Sequence, residues 1–309
     1  MSFQVALTQV LLTLFYITPG YLVSKMKKAS AQHLPTLSAV LIYVCGPCMH
    51  ISAFISMDFS WETLRGMALF FLVTIVLQSA FMAILYFLFR SRQEDARFRL
   101  LNIASTLGNV GFFGLPVIRA LLPEHPEAAC YSAIYCVSMN ILVFTMGVFC
   151  LTKDKKYMSL KSALVNPTMI GFYIAMPLFF SSARRFIPQA ALGALQLLGN
   201  MSTPLCMIIL GIRLAQSPVK RLISRPFVYV ISLAKLLAFP LFCYGAVALL
   251  PLDGAFKASV LILSATPCAS IILNLAEMHR SETELSANCV LVSTLLCFLT
   301  IPVLTLLVA

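Results

Sequence analysis

The stretch Gly108-Asn109-Val110-Gly111-Phe112-Phe113-Gly114-Leu115-Pro116 interrupts an apolar run, Leu100–Ile118, that is otherwise able to cross a lipid bilayer. Three glycines and a proline within nine residues do not sustain a regular helix, because glycine disfavours it and proline removes an N–H. Lipid cannot satisfy the backbone groups such a break frees, so protein or a polar cavity must. A second interruption, Thr266-Pro267-Cys268-Ala269-Ser270, breaks the run Ala258–Glu277. Asn109 stands ten positions after Arg99, and Pro267 stands ten positions after Lys257. Two matched interruptions are a pattern rather than two packing kinks.

Outward from these breaks, the whole chain reads as membrane-embedded. Of its 309 residues 60% are hydrophobic and 11% charged, whereas a soluble domain is about a quarter charged. That balance excludes a soluble globular enzyme, a disordered chain and a nucleic-acid module. Ten apolar stretches follow one another: Phe3–Val23, Leu34–Phe54, Met67–Phe89, Leu100–Ile118, Ala128–Leu151, Pro167–Ser182, Ala191–Ile212, Phe227–Leu250, Ala258–Glu277 and Asn288–Val308. They do not alternate as barrel strands would, and isolated strands cannot satisfy their backbone in lipid. The expected fold class is therefore an all-α membrane protein of ten transmembrane helices. The opening residues Met-Ser-Phe-Gln offer no basic n-region and no cleavage site, so no removable signal peptide is read.

Basic residues divide unevenly between alternate loops. Those after the odd-numbered spans carry sixteen: Lys25, Lys27, Lys28, Arg90, Arg92, Arg97, Arg99, Lys153, Lys155, Lys156, Lys161, Arg213, Lys220, Arg221, Arg225 and Arg280. The others carry five, Arg65, Arg119, Arg184, Arg185 and Lys257. The positive-inside rule then places the odd loops in the cytoplasm and both termini outside a plasma membrane, the inner membrane of a bacterium. The net charge of +11 is mostly this topological signal. The polar loop Thr152–Asn166 divides the chain into 1–151 and 152–309, with five spans each. An odd number per half means that homologous halves must be inserted upside down relative to one another. Pro47 in the second span and Pro204 in the seventh continue the pairing, as do the breaks in the fourth and ninth.

Crossed broken helices make a polar site with little charge of their own. The freed N-terminal end of a half-helix carries partial positive charge and free N–H donors, which suits an anion. Candidate residues are Gly108, Asn109, Gly111 and Pro116 at one break, with Thr266, Pro267 and Cys268 at the other. All eleven acidic residues lie in loops or at span ends, so a carboxylate-poor site faces a substrate that brings its own negative charge.

The run Asn109-Val-Gly-Phe-Phe-Gly-Leu-Pro116-Val-Ile, with Ala265-Thr-Pro267-Cys-Ala-Ser, resembles the auxin efflux carrier family. That family includes plant PIN-type auxin exporters and bacterial members associated with organic-acid transport. The resemblance covers the whole chain, and the short middle loop is that of bacterial members. It implies a scaffold of spans 1, 2, 6 and 7, a homodimer formed through spans 2 and 7, and a mobile transport unit of spans 3–5 and 8–10. The unit would move its substrate by an elevator-like displacement. By the same resemblance Asn109 matches the site asparagine and Pro267 the crossover proline. Where PIN-type carriers have a proline just before the asparagine, this chain has Gly108.

Other polar residues carry two readings each. Asn140 in the fifth span lines the site or bonds a neighbouring helix. His50, three positions after Pro47, contacts a substrate carboxylate, couples a proton, or packs between helices. Lys235 in the eighth span is functional, as an intramembrane lysine is by default, or snorkels to the surface. Cys45-Gly-Pro-Cys48 spells a redox tetrapeptide, but it lies inside an apolar span and lacks the exposed thiolate that chemistry needs. No zinc spacing and no phosphate-binding lysine loop occurs, so no cofactor is expected.

The expectation is a secondary transporter for a small organic anion, a mono- or dicarboxylate, working by alternating access at the crossing of spans 4 and 9. It would be driven by the membrane potential or coupled to sodium or protons. An anion channel or a non-transporting membrane sensor on the same fold is the alternative. A membrane-embedded enzyme lacks a nucleophile–base pair in the spans.

Overall fold

The computed structural model describes residues 2–217 and 225–308. Lys220 and Arg221, counted above among the basic loop residues, lie outside them. Among the described residues, eight helices are long and apolar enough to cross a membrane: α1 (Phe3–Lys25), α2 (Ala31–Ile55), α3 (Trp61–Leu88), α6 (Glu127–Thr152), α7 (Lys155–Phe180), α8 (Gln189–Gln216), α9 (Pro226–Ala248) and α12 (Thr283–Val308). The fourth apolar stretch folds as two pieces, α4 (Ala96–Ala104) and α5 (Val110–Leu121), and the ninth as α10 (Gly254–Ser264) and α11 (Ser270–Met278). Among the described residues there is no β-strand; one isolated bridge pairs Gly108 with Cys268.

Side chains set where several helical segments start, Pro167–Phe180 within α7 among them. Ser60, Asp95, Asn166 and Asp253 each accept a hydrogen bond from an N–H two or three residues on, at 2.7–3.1 Å. These are N-terminal donors that the helix itself cannot satisfy. Proline shapes the interiors. Pro47, Pro116 and Pro240 each follow a π turn, at Leu41–Cys45, Val110–Gly114 and Ala234–Ala238. A proline gives no N–H to the carbonyl four residues back and crowds it, and a turn widened by one residue lets the helix continue.

Two sets of helices pack internally. In the first, α1 crosses α8 at Gly20 and Gly211, where a Cβ on either would overlap the backbone carbonyl of Ile208 or of Ile17. In the same set α7 crosses α2 at Gly171, with room for no Cβ against Pro47. Such close approach is what holds helices together in lipid, where apolar burial gives no net drive. In the second set α3 packs on α6, with Phe70 stacked on Tyr131 at 4.4 Å, and α9 packs on α10 and α12. Next to the loop side of this set, Glu94 pairs with Lys153, whose ammonium holds the carboxyl below the usual glutamate value. Arg97 does the same to Asp95, and Lys156 to Asp154.

Candidate functional site

The two interruptions meet. The Asn109 N–H donates to the Pro267 carbonyl at 2.8 Å, and the Ala269 N–H donates to the Leu107 carbonyl at 3.1 Å. The residue ten past Arg99 is thus bonded to the residue ten past Lys257. These bonds use the groups at the middle of each break and leave others free. Among the described residues, the N–H groups of Gly111 and Phe112 at the start of α5, and of Ser270 and Ile271 at the start of α11, have no acceptor. All four residues line a cavity of about 360 Å³, a size that suits a small organic molecule.

The carbonyls of α5 are better satisfied than its N–H groups. Pro116 leaves the Phe112 carbonyl without its usual partner, and the Thr203 hydroxyl of α8 donates to it at 2.6 Å. The Ser132 hydroxyl of α6 donates to the Val110 carbonyl at 2.7 Å. Asn109 is buried, with its carbonyl accepting from the N–H groups of Phe113 and Gly114 and its side-chain amide 3.7 Å from the Cys206 thiol.

The cavity brings together five of the candidates named from sequence: Gly108, Asn109, Gly111, Asn140 and His50. The other four are placed elsewhere. Pro116 lies a turn deeper in α5, outside the cavity wall. Thr266 is fully buried, its hydroxyl donating to the Leu263 carbonyl. Pro267 serves through its carbonyl, and Cys268 bonds Ser293 and the Ala104 carbonyl. Thr266, Pro267 and Cys268 form the back of the crossing rather than its open face.

Sequence reading missed other cavity residues. Ser270 and Asn274, four apart, place two polar side chains on one face of α11, a spacing that the chain displays openly. Asn166 and Thr168 enter because Asn166 caps the Pro167–Phe180 part of α7 at the cavity edge. Among the described residues, Arg213, at the end of α8, is the one lining residue with a permanent charge, and no carboxylate lines the wall. Its guanidinium donates to Glu277, beside the cavity at the end of α11, at 3.2 Å.

Lys235 does not snorkel. It is fully buried, and its ammonium donates to the Ser264 carbonyl at 2.7 Å and to the Thr106 carbonyl at 3.3 Å, on the far side of the crossing from the cavity. Cys45 and Cys48 are free thiols, as are the other eight cysteines.

Apolar helices of spanning length, an interrupted pair bonded at its breaks and a cavity of molecular size define a multi-pass membrane transporter. The profile of the membrane transport protein family matches residues 5–305, and the chain belongs to that family, the auxin efflux carrier family. An uncharacterized transporter of Methanocaldococcus jannaschii is similar, with 26% identity over 302 residues that cover 92% of this chain and 93% of the relative.

Proposed function

We propose that the protein carries a small organic anion, a mono- or dicarboxylate, by alternating access, with the substrate held at the crossing of α4–α5 and α10–α11. The observation that carries this reading is the set of four free N–H groups, from two half-helix N-termini, on residues that line one cavity, whose wall among the described residues holds an arginine and no carboxylate. Each N-terminus contributes roughly half a positive charge, and an anion gains from both at once. Asn109, Asn140, Ser270 and Asn274 would orient the carboxylate, and Arg213 would draw it in from the mouth. His50 would supply a hydrogen bond from the opposite wall.

The packing supports an inverted repeat of five spans, 1–151 and 152–309, with each interrupted pair counted as one crossing. Under that symmetry the contact of α1 with α8 corresponds to that of α7 with α2, and α3 with α6 corresponds to α9 with α12. The first group would be the scaffold and the second the moving unit. The cavity wall is shared between them, Met49, His50, Cys206 and Arg213 coming from one and Asn109, Asn140 and Asn274 from the other. Its lining reaches Asn166, Arg213 and Met278, at helix ends next to the basic loops, and on our reading the cavity opens there, toward the cytoplasm of a plasma membrane. The membrane potential then supplies about 2.3 kcal/mol per exported charge per 100 mV.

The test is a thermal-shift panel of mono- and dicarboxylates on the purified protein, with and without sodium. A ligand at 100 times its dissociation constant stabilises by about 2.7 kcal/mol. The expected result is a carboxylate hit that Asn109→Ala abolishes, with saturable counterflow in vesicles separating a carrier from a channel. A folded protein silent to every carboxylate, yet shifted by neutral solutes, would overturn the anion reading.

A further inference from the structure

The face of the crossing opposite the cavity carries the inverse chemistry. There α4 and α10 end, and the C-terminal end of a helix carries partial negative charge on carbonyls that have no intrahelical donor. The Thr106 carbonyl lies just past the end of α4, and Ser264 is the last residue of α10. Both point at one atom, the ammonium nitrogen of Lys235, at 3.3 and 2.7 Å. That nitrogen also sits 4.6 Å from the centre of the Phe239 ring. Among the described residues no carboxylate lies within ion-pair distance of it. A buried ammonium without a carboxylate partner is costly unless something else compensates it. Here the compensation comes from the two helix ends, the same arrangement of backbone oxygens that binds a desolvated monovalent cation.

We propose that Lys235 is the protein's own cation at the crossover: its ammonium ties together the C-terminal ends of the two half-helices and fills the place that a monovalent metal ion would otherwise take. It is a positioning residue. By fixing α4 against α10 it fixes the starts of α5 and α11, whose residues with free N–H groups line the cavity. Residue 108 packs against the same ammonium. A Cβ at Gly108 would overlap the Thr266 hydroxyl oxygen and lie 3.0 Å from the Lys235 nitrogen, so the space between Thr266 and the tethered ammonium admits glycine. A proline, which brings a Cβ, does not fit beside it. The consequence is that the crossover needs no ion from solution, and that shortening the lysine opens a carbonyl-lined vacancy that sodium, lithium or a small alkylammonium can enter.

The experiment uses the full-length protein in detergent and reads melting temperature without any substrate, so it succeeds or fails independently of the anion reading. Wild type in N-methylglucamine buffer should melt at the same temperature when sodium or lithium chloride replaces that salt at equal ionic strength. Lys235→Ala should melt lower by about 5 °C, and sodium, lithium or ethylammonium should restore at least half of the loss. Lys235→Met, which fills the space with an uncharged chain, should be destabilised and respond to none of them. Sodium dependence in the wild type would overturn the proposal, and that arm needs no variant to fold. So would a Lys235→Met protein as stable as wild type, or a folded Lys235→Ala protein that no cation or amine rescues.

Discussion

Replacing Thr203 by valine keeps the volume of the side chain and deletes one hydroxyl. That hydroxyl donates at 2.6 Å to the Phe112 carbonyl, which Pro116 has deprived of an N–H four residues on. Side-chain hydrogen bonds between helices in lipid are worth about 0.6 kcal/mol on average and up to about 1.7. A buried acceptor with no substitute donor belongs toward the upper end, so the expected loss is about 1 kcal/mol. The bond joins α8 to α5 across the boundary between the proposed scaffold and moving unit. Its removal therefore lowers the stability of this arrangement against unfolding and against any arrangement in which α5 has slid along α8. One kcal/mol corresponds to a shift of about fivefold in that second equilibrium. The assay is a pair of melting curves in detergent, Thr203→Val and Thr203→Ser against wild type. The valine variant should melt about 2 °C lower and the serine variant, which keeps the donor, within half of that. A valine variant that melts with wild type, or a serine variant that falls as far as valine, would refute the account of Pro116 and its orphaned carbonyl.

Gly211→Leu should abolish accumulation of folded protein, since even a Cβ overlaps the Ile17 carbonyl and α1 cannot move off α8 without losing their whole contact; size-exclusion profiles after membrane extraction read it, and normal yield would contradict the close crossing. Arg213→Gln should weaken carboxylate binding about tenfold, the low end for a charge-assisted bond at a partly exposed group, whereas Glu277→Gln should strengthen it by releasing the guanidinium; equal effects of the same sign would count against Arg213 as the anchor. The carboxyls of Glu94, Asp95 and Asp154 sit below their ordinary values because of Lys153, Arg97 and Lys156. Their stabilisation is therefore present above the ordinary carboxylate range and disappears as pH falls through the lowered values. A melting series from pH 7 to pH 3 should show an acid decline that Glu94→Gln makes shallower and high salt suppresses.

The breaks were legible because they violate the pattern around them. Three glycines and a proline between Gly108 and Pro116 have no role in a straight apolar helix, and the ten-residue spacing from Arg99 and Lys257 anticipated which residues would meet. What spacing along a chain does not carry is direction around a helix. It named Thr266 and Cys268 as site residues, whereas they lie behind the crossing, away from the cavity wall. Arg213 counted in the sequence only as a loop charge that sets orientation, because its place on the cavity wall depends on how α8 packs against its neighbours, which spacing along the chain does not show. Lys235 presented the same ambiguity, since a side chain of four methylenes reaches a surface or a neighbour equally well. The structure resolves it through Ser264 and Thr106, which lie 29 and 129 positions away in the chain.

The π turns before Pro47, Pro116 and Pro240 bear on how distant relatives are to be compared. Each holds one residue more than the α turn it replaces, so a homologue that has lost the proline can lose that residue with it and keep the same helix. An alignment that spreads such a one-residue gap into the next loop rotates every intervening position by about 100°. Along α5 that would exchange wall residues of the cavity for residues that face the protein interior. At 26% identity, transferring a residue's role from one member to another therefore depends on first deciding whether both chains possess the turn.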